Sequence, residues 1–138
     1  MAARDLHHQS VRIALEKDGW TITHDPFTFK VGVRQLLIDL GAERLIAAQK
    51  QDRRIAIEIK GFIAPSPLAE FHTALGQFLN YRSALQRFEP ERILYLAIPI
   101  DIHTTFFTEE LTQMSIQDYD IKIIVFDPNK EAIVAWKN

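Results

Sequence analysis

The sequence predicts an α/β chain of the α+β type, a mixed β-sheet with helices packed on it, folded as one domain over residues 1–138. Three observations carry that expectation. Apolar runs of strand length are interleaved with stretches of helical period. One run, Ile93–Pro99, is apolar throughout, as in a strand covered on both faces. Finally, 138 residues with 47% hydrophobic side chains suffice for one sizeable core but not for two domains of ordinary size.

The elements follow in order. Arg4–Asp18 lacks Gly and Pro, spaces Leu6, Val11, Ala14 and Leu15 as a helix does, and stops at Gly19. Trp20–His24 alternates like a strand and is cut by Asp25-Pro26, after which Phe27–Phe29 can resume an extended path. The apolar runs QLLIDLGAERLIAAQ, from Gln35, and IAIEIK flank a short polar connection. They read as a hairpin whose turn lies near Lys50–Arg53. Ser66 is a candidate N-cap with Pro67 at the first helical position; Leu68, Phe71, Leu75, Phe78, Leu79, Leu85 and Phe88 mark the buried stripe of a long helix ended by Glu89-Pro90. After Ile93–Pro99, Thr104 or Thr105 opens a shorter helix towards Met114, with Phe106 and Phe107 as core or oligomer contacts. Ile121–Phe126, the turn Asp127–Asn129 and Ala132–Trp136 form a closing hairpin. The expected order is α β β β α β α β β.

Composition excludes several classes. No cysteine is present, so disulfides, thiolate nucleophiles, iron–sulfur clusters and sulfur-ligated zinc are ruled out, and a metal must be held by oxygen or imidazole. The start, MAARDLHHQ, is polar, and no apolar stretch approaches membrane-spanning length, so a cytoplasmic location is expected. The net charge of −2 conceals an asymmetry: residues 1–92 carry 13 Lys and Arg against 11 Asp and Glu, and residues 93–138 carry 3 against 7. The basic side is the N-terminal two thirds.

The sharpest chemical feature is Glu58-Ile59-Lys60. Strand alternation places Glu58 and Lys60 on one face and Ile55, Ile57 and Ile59 on the other. A carboxylate and an ammonium projecting from a central strand need partners, because unpaired buried charge is costly. Asp39 and Glu43 stand upstream at one parity on the partner strand. Carboxylates brought together across a hairpin repel, and a divalent cation is the usual reason to tolerate them. Mg²⁺, or Mn²⁺, suits all-oxygen ligands and keeps waters and a substrate phosphate. Metal-assisted phosphodiester hydrolysis is therefore expected, with Lys60 orienting or deprotonating the attacking water. Gln77 and Tyr81, at i and i+4, share a face of the long helix beside the Phe71–Leu75–Phe78 stripe. The other polar candidates read more simply: His7 and His8 as surface residues, His24, His72 and His103 as isolated, and Lys50, Arg53 and Arg54 as a polar turn with a phosphate contact as the alternative.

Asp39, Glu58-x-Lys60 and Gln77-x-x-x-Tyr81 together resemble the PD-(D/E)XK nuclease superfamily in the variant with a QxxxY helix motif. Nearly the whole chain, especially IDLGAERLIAAQ, IAIEIKGF and ALGQFLNYRSAL, resembles the XisH family of cyanobacterial controlling factors for excision of the fdxN element. The resemblance implies a restriction endonuclease-like fold, with Asp39 and Glu58 as metal-binding carboxylates, Lys60 as the catalytic lysine, and Gln77 and Tyr81 as the supporting helix motif. Ile38 stands where the pattern has proline, and Glu43 remains an alternative to Asp39 as the residue facing Glu58. Glu16 is a candidate for the extra carboxylate some members supply. The implied partners are DNA, a companion XisI-like protein and a site-specific recombinase, and a homodimer is consistent with the apolar ends. Three functions stay open: a Mg²⁺-dependent endodeoxyribonuclease, a non-catalytic regulator of the recombinase that binds DNA or protein, and a toxin-like nuclease held by its companion.

Overall fold

The computed structural model describes residues 4–46 and 51–138, so of the turn expected near Lys50–Arg53, Lys50 lies outside the described residues and the rest is strand. The chain runs α1 (Arg4–Lys17), β1 (Thr21–His24), β2 (Phe27–Val31), β3 (Arg34–Ile38), β4 (Leu40–Ile46), β5 (Gln51–Ile59), α2 (Pro67–Phe88), β6 (Arg92–Pro99), α3 (Ile100–His103), a 3₁₀ turn (Phe106–Thr108), α4 (Glu110–Tyr119), β7 (Ile123–Asp127) and β8 (Ala132–Lys137). Six strands form one mixed sheet in the order β1-β4-β5-β6-β7-β8, while β2 and β3 form a separate two-stranded ribbon. The α+β class and central mixed sheet are as the sequence predicts.

The three middle strands, β5, β6 and β7, are parallel, and the outer pairings β1–β4, β4–β5 and β7–β8 are antiparallel. Parallel neighbours need crossovers, which α2 supplies from β5 to β6 and α4 from β6 to β7. Strand alternation divides the core into two layers. Ala56, Leu94, Leu96, Ile98, Ile123 and Val125 face α2 and the Phe106-Phe107 turn. Ile55, Ile57, Ile59, Tyr95, Ala97, Ile124 and Phe126 face α1 through Val11 and Leu15. This is the parity predicted for β5, and it commits Glu58 to the α2 face.

Helix α2 begins as its local chemistry requires. Ser66 Oγ accepts the Ala69 N–H at 3.2 Å, and Pro67 occupies the first turn, where its missing N–H costs nothing. Ser66→Ala is expected to cost about 1 kcal/mol in a urea melt, and a cost indistinguishable from zero would remove the cap from the account. The buried stripe is shorter than expected. Phe71, Ala74, Phe78, Ala84 and Leu85 are buried, whereas Leu68 and Phe88 at the two ends of the helix lie 40% and 58% exposed beyond the sheet they were expected to pack on.

Two further expectations are corrected, while Phe27–Phe29 does resume an extended path, as the start of β2. The run from Gln35 is two strands broken at Asp39, so the chain leaves the ribbon and enters the large sheet there. Phe27–Phe29 belongs to that ribbon, paired in register from Phe27↔Ile38 to Val31↔Arg34. The segment after β6 is helical from Ile100 and begins its longer helix only at Glu110, because Phe106 and Phe107 turn inward against Phe62 and Phe71. Among the described residues no helix is long and apolar enough to cross a membrane.

Candidate functional site

The β4–β5 register builds the site. Leu40 lies opposite Ile57, so Asp39, one residue earlier at the bend, comes opposite Glu58. The Asp39 carboxylate is fixed from below: its Oδ2 accepts the Ile59 N–H at 2.8 Å. Glu58 is 7% exposed, and its Oε1 is buried and accepts no hydrogen bond. Lys60 projects from the same face at the end of the strand, with Nζ 3.8 Å from Glu58 Oε2. That separation is too long to neutralise the carboxylate fully. Burial, and then the neighbouring Asp39 charge, push Glu58 up to about 8 against the partial relief from Lys60.

These groups line a groove of about 690 Å³ between the end of β5 and the first turns of α2, with Phe62, Glu70 and Thr73 on its walls. Further along α2, Gln77 Oε1 is buried with no hydrogen-bond partner. Tyr81, one turn on, is partly buried; burial and the charges of Glu58 and Asp39 raise its hydroxyl above the usual range, which places it within their field. Asp39, Glu58 and Lys60 are thus brought together on the groove, whereas Gln77 and Tyr81, on one face of α2, lie outside its described lining, Tyr81 packed against the α2-side core.

Glu43 is not brought there. It pairs across the ladder with Arg54, four residues or about 13 Å along β5 from Glu58. Its carboxylate faces two guanidiniums instead, Arg54 Nε at 3.4 Å and Arg92 Nη2 at 3.7 Å. The register, set by the packing of Leu40 and Ala42, thereby selects Asp39 over Glu43 as the residue across from Glu58. Glu16 is exposed on α1, which packs on the opposite face of the sheet. The histidines also differ from expectation: His8 Nε2 donates to Asp25 Oδ1 at 2.7 Å, and the His7 ring meets Phe126 edge-on at 5.6 Å. Arg53 and Arg54 are within β5, not in a turn, and Arg53 lies over the Trp20 ring at 5.5 Å.

Glu70 and Thr73 escaped the sequence reading, although a signal was there. Glu70, Thr73, Gln77 and Tyr81 follow helical spacing as a polar stripe beside the apolar one. Among the described residues no group of three or more His, Asp or Glu side chains converges on a common point. The acidic donor set is the pair Asp39 and Glu58. With its buried, unsatisfied oxygen, this pair fits a hard divalent cation that keeps several waters and takes the place of the Glu58 proton.

A family model described as XisH protein matches residues 1–134. Two solved structures are similar over nearly the whole chain. An XisH family protein from Nostoc punctiforme shares 46% identity with a TM-score of 0.89, covering 97% of this chain and 100% of that one. An fdxN element excision controlling factor protein from Anabaena variabilis shares 45% identity with a TM-score of 0.89, covering 98% and 100%. No curated protein matches the chain.

Proposed function

Because the chain belongs to the XisH family, we propose that it acts in the controlled excision of an fdxN-type element, through Mg²⁺- or Mn²⁺-dependent hydrolysis of DNA phosphodiesters. The observation that carries this reading is the convergence of Asp39, Glu58 and Lys60 on one open groove. Asp39 and Glu58 would hold the ion through oxygen. When bound, it would supply Lewis-acid polarisation of the phosphodiester and charge for the leaving oxygen. Asp39 needs no reorientation, because the Ile59 N–H already fixes its carboxylate. Lys60 reaches into the groove as the group that orients the attacking water or takes its proton. Gln77 and Tyr81 are positioning residues that back the carboxylates from α2, and the raised Tyr81 hydroxyl stays protonated as a donor.

The protein is expected to nick or cut duplex DNA only when Mg²⁺ or Mn²⁺ is added. Glu58→Ala and Lys60→Ala are each expected to lower the rate by roughly 100-fold or more while the folded baseline in circular dichroism is kept. Wild-type protein that leaves DNA intact with metal, both alone and with an XisI-like companion, would sink the hydrolytic reading.

One observation favours a second reading. Among the described residues lining the groove, Lys60 is the sole cation, while Glu70 adds a further negative charge. Affinity for a polyanion grows with the number of phosphates neutralised, so this groove alone gives weak DNA affinity. A non-catalytic regulator that engages DNA or a recombinase elsewhere on its surface, or a toxin-like nuclease held by a companion, accommodates that deficit.

A further inference from the structure

The β2–β3 ribbon, Phe27–Ile38, supplies what the groove lacks. At its base, Phe27 and Ile38 are buried in the α2-side core. From there the register runs outward through Phe29↔Leu36, Lys30↔Gln35 and Val31↔Arg34 to a turn at Gly32-Val33, where Val33 is 99% exposed. An isolated two-stranded ribbon is marginal in water. Its outer half is nonetheless built as a regular ladder.

Its chemistry is one-sided. Residues 26–38 read PFTFKVGVRQLLI, with no Asp or Glu in a chain whose net charge is −2. Lys30 and Arg34 are both exposed and, among the described residues, neither pairs with a carboxylate. Alternation sets them on opposite faces of the ribbon: Lys30 with Thr28, Gln35 and Leu37 on the solvent side, and Arg34 with Val31 on the side that carries Phe29 and Leu36. A flat partner surface would meet only one of those faces. A groove walled by anions meets both.

Dimensions agree. The B-DNA major groove, about 12 Å wide and about 8.5 Å deep, admits a two-stranded ribbon. The ribbon beyond Phe29↔Leu36 extends by two ladder pairs and a turn, roughly 8 Å or more. Its C-terminal strand ends at Ile38, immediately before Asp39, so the same rigid base positions the ribbon and one carboxylate of the candidate site.

Resting on the reading of DNA as the substrate, we propose that the β2–β3 ribbon seats duplex DNA by entering a groove, Lys30 and Arg34 contacting the phosphates of its two walls. The ribbon thereby sets which phosphodiester lies at Asp39 and Glu58, with Gln35 carried into the groove beside Lys30 and the Gly32-Val33 turn leading.

The test is fluorescence anisotropy with a labelled duplex of a few helical turns, over a salt series and with EDTA present so that hydrolysis is blocked. The variants are K30E/R34E and, as a control of equal charge change, R87E/K137E at two other exposed cations. K30E/R34E is expected to weaken binding roughly tenfold or more at physiological salt and to reduce the slope of log K against log salt by about two. Its melting temperature should be unchanged, since neither side chain has a partner to lose. The control should keep the wild-type slope. Wild-type affinity in K30E/R34E, or equal losses in both variants, would overturn the ribbon's role, as would a wild type that binds no duplex. A shift from dimer to monomer by light scattering without a change in DNA affinity would assign the ribbon to self-association instead. Ribbon-dependent binding without cleavage on adding Mg²⁺ supports the inference and removes the hydrolytic function; cleavage that survives in K30E/R34E unchanged does the reverse.

Discussion

Glu58→Gln is expected to make the metal-free protein more stable at pH 8 and above while abolishing its response to Mg²⁺. The sign follows from the raised pKa. Glu58 stands at about 8 in the folded chain against 4.5 when unperturbed, so between those values the folded state holds a proton that the unfolded state has released. Stability from this group is fully present below about pH 4.5 and is lost as pH rises through about 8. Glutamine is neutral throughout and escapes the loss. The gain of the variant should therefore be near zero at pH 4 to 5 and reach on the order of a few kcal/mol at pH 8 to 9. In the wild type, added Mg²⁺ should recover much of the deficit, because the ion replaces the proton as the partner of Glu58. Its apparent affinity should climb up to tenfold per pH unit until about pH 8. Urea titrations at pH 5 and pH 8.5, each with EDTA and with Mg²⁺, check all of this. An E58Q variant that is less stable than wild type at pH 8.5 would show that the carboxylate is compensated by something other than a proton or an ion.

The second large effect lies away from the site. Arg92 is 6% exposed at the start of β6, where Nη1 donates to the Ile55 carbonyl at 3.0 Å and Nε donates to Glu89 Oε1 at 3.0 Å. Nη2 faces Glu43 at 3.7 Å, and the guanidinium lies over the Phe27 ring at 4.5 Å. One planar fork thus ties together β4, β5, the end of α2 and the base of the ribbon. Arg92→Ala would leave a buried carbonyl unpaired, Glu43 with less counter-charge and a void against Phe27. Leaving the buried Ile55 carbonyl unpaired costs about 1 to 3 kcal/mol, the partly exposed Glu43 and Glu89 adding less, which should appear as a lower urea midpoint with an unchanged slope. Arg92→Lys keeps the charge but not the fork, and should recover less than half of the loss. A cost below about 1 kcal/mol for Arg92→Ala would mean that the network closes around water without it.

How much was legible in the sequence depended on whether the deciding forces were local. Helix α2 was readable at both ends because the Ser66 cap, Pro67 and the Glu89-Pro90 stop act over a few residues. Strands β5, β6 and β7 were readable because burial on the α1 and α2 faces imposes apolar runs on them, and the two-residue period of β5 alone put Glu58 and Lys60 on one face. The ribbon was not readable: its turn at Gly32-Val33 lacks the Asn-Gly or Asp-Gly signature, and Gln35–Ile38 looks continuous with Leu40–Ile46.

What the sequence by itself determined is therefore the class of fold, the helix and strand faces, and the three residue types that make the candidate site. Which carboxylate stands opposite Glu58 was decided only by tertiary structure. Asp39 and Glu43 share parity and differ only in register, and register is fixed by how Leu40 and Ala42 pack into the core and by the Ile59 N–H that captures Asp39 at the bend. The environment of Glu58 was likewise beyond the sequence, because burial beneath α2 is a property of the assembled layers. A charge that would be ordinary on an exposed strand there becomes the group most in need of a cation.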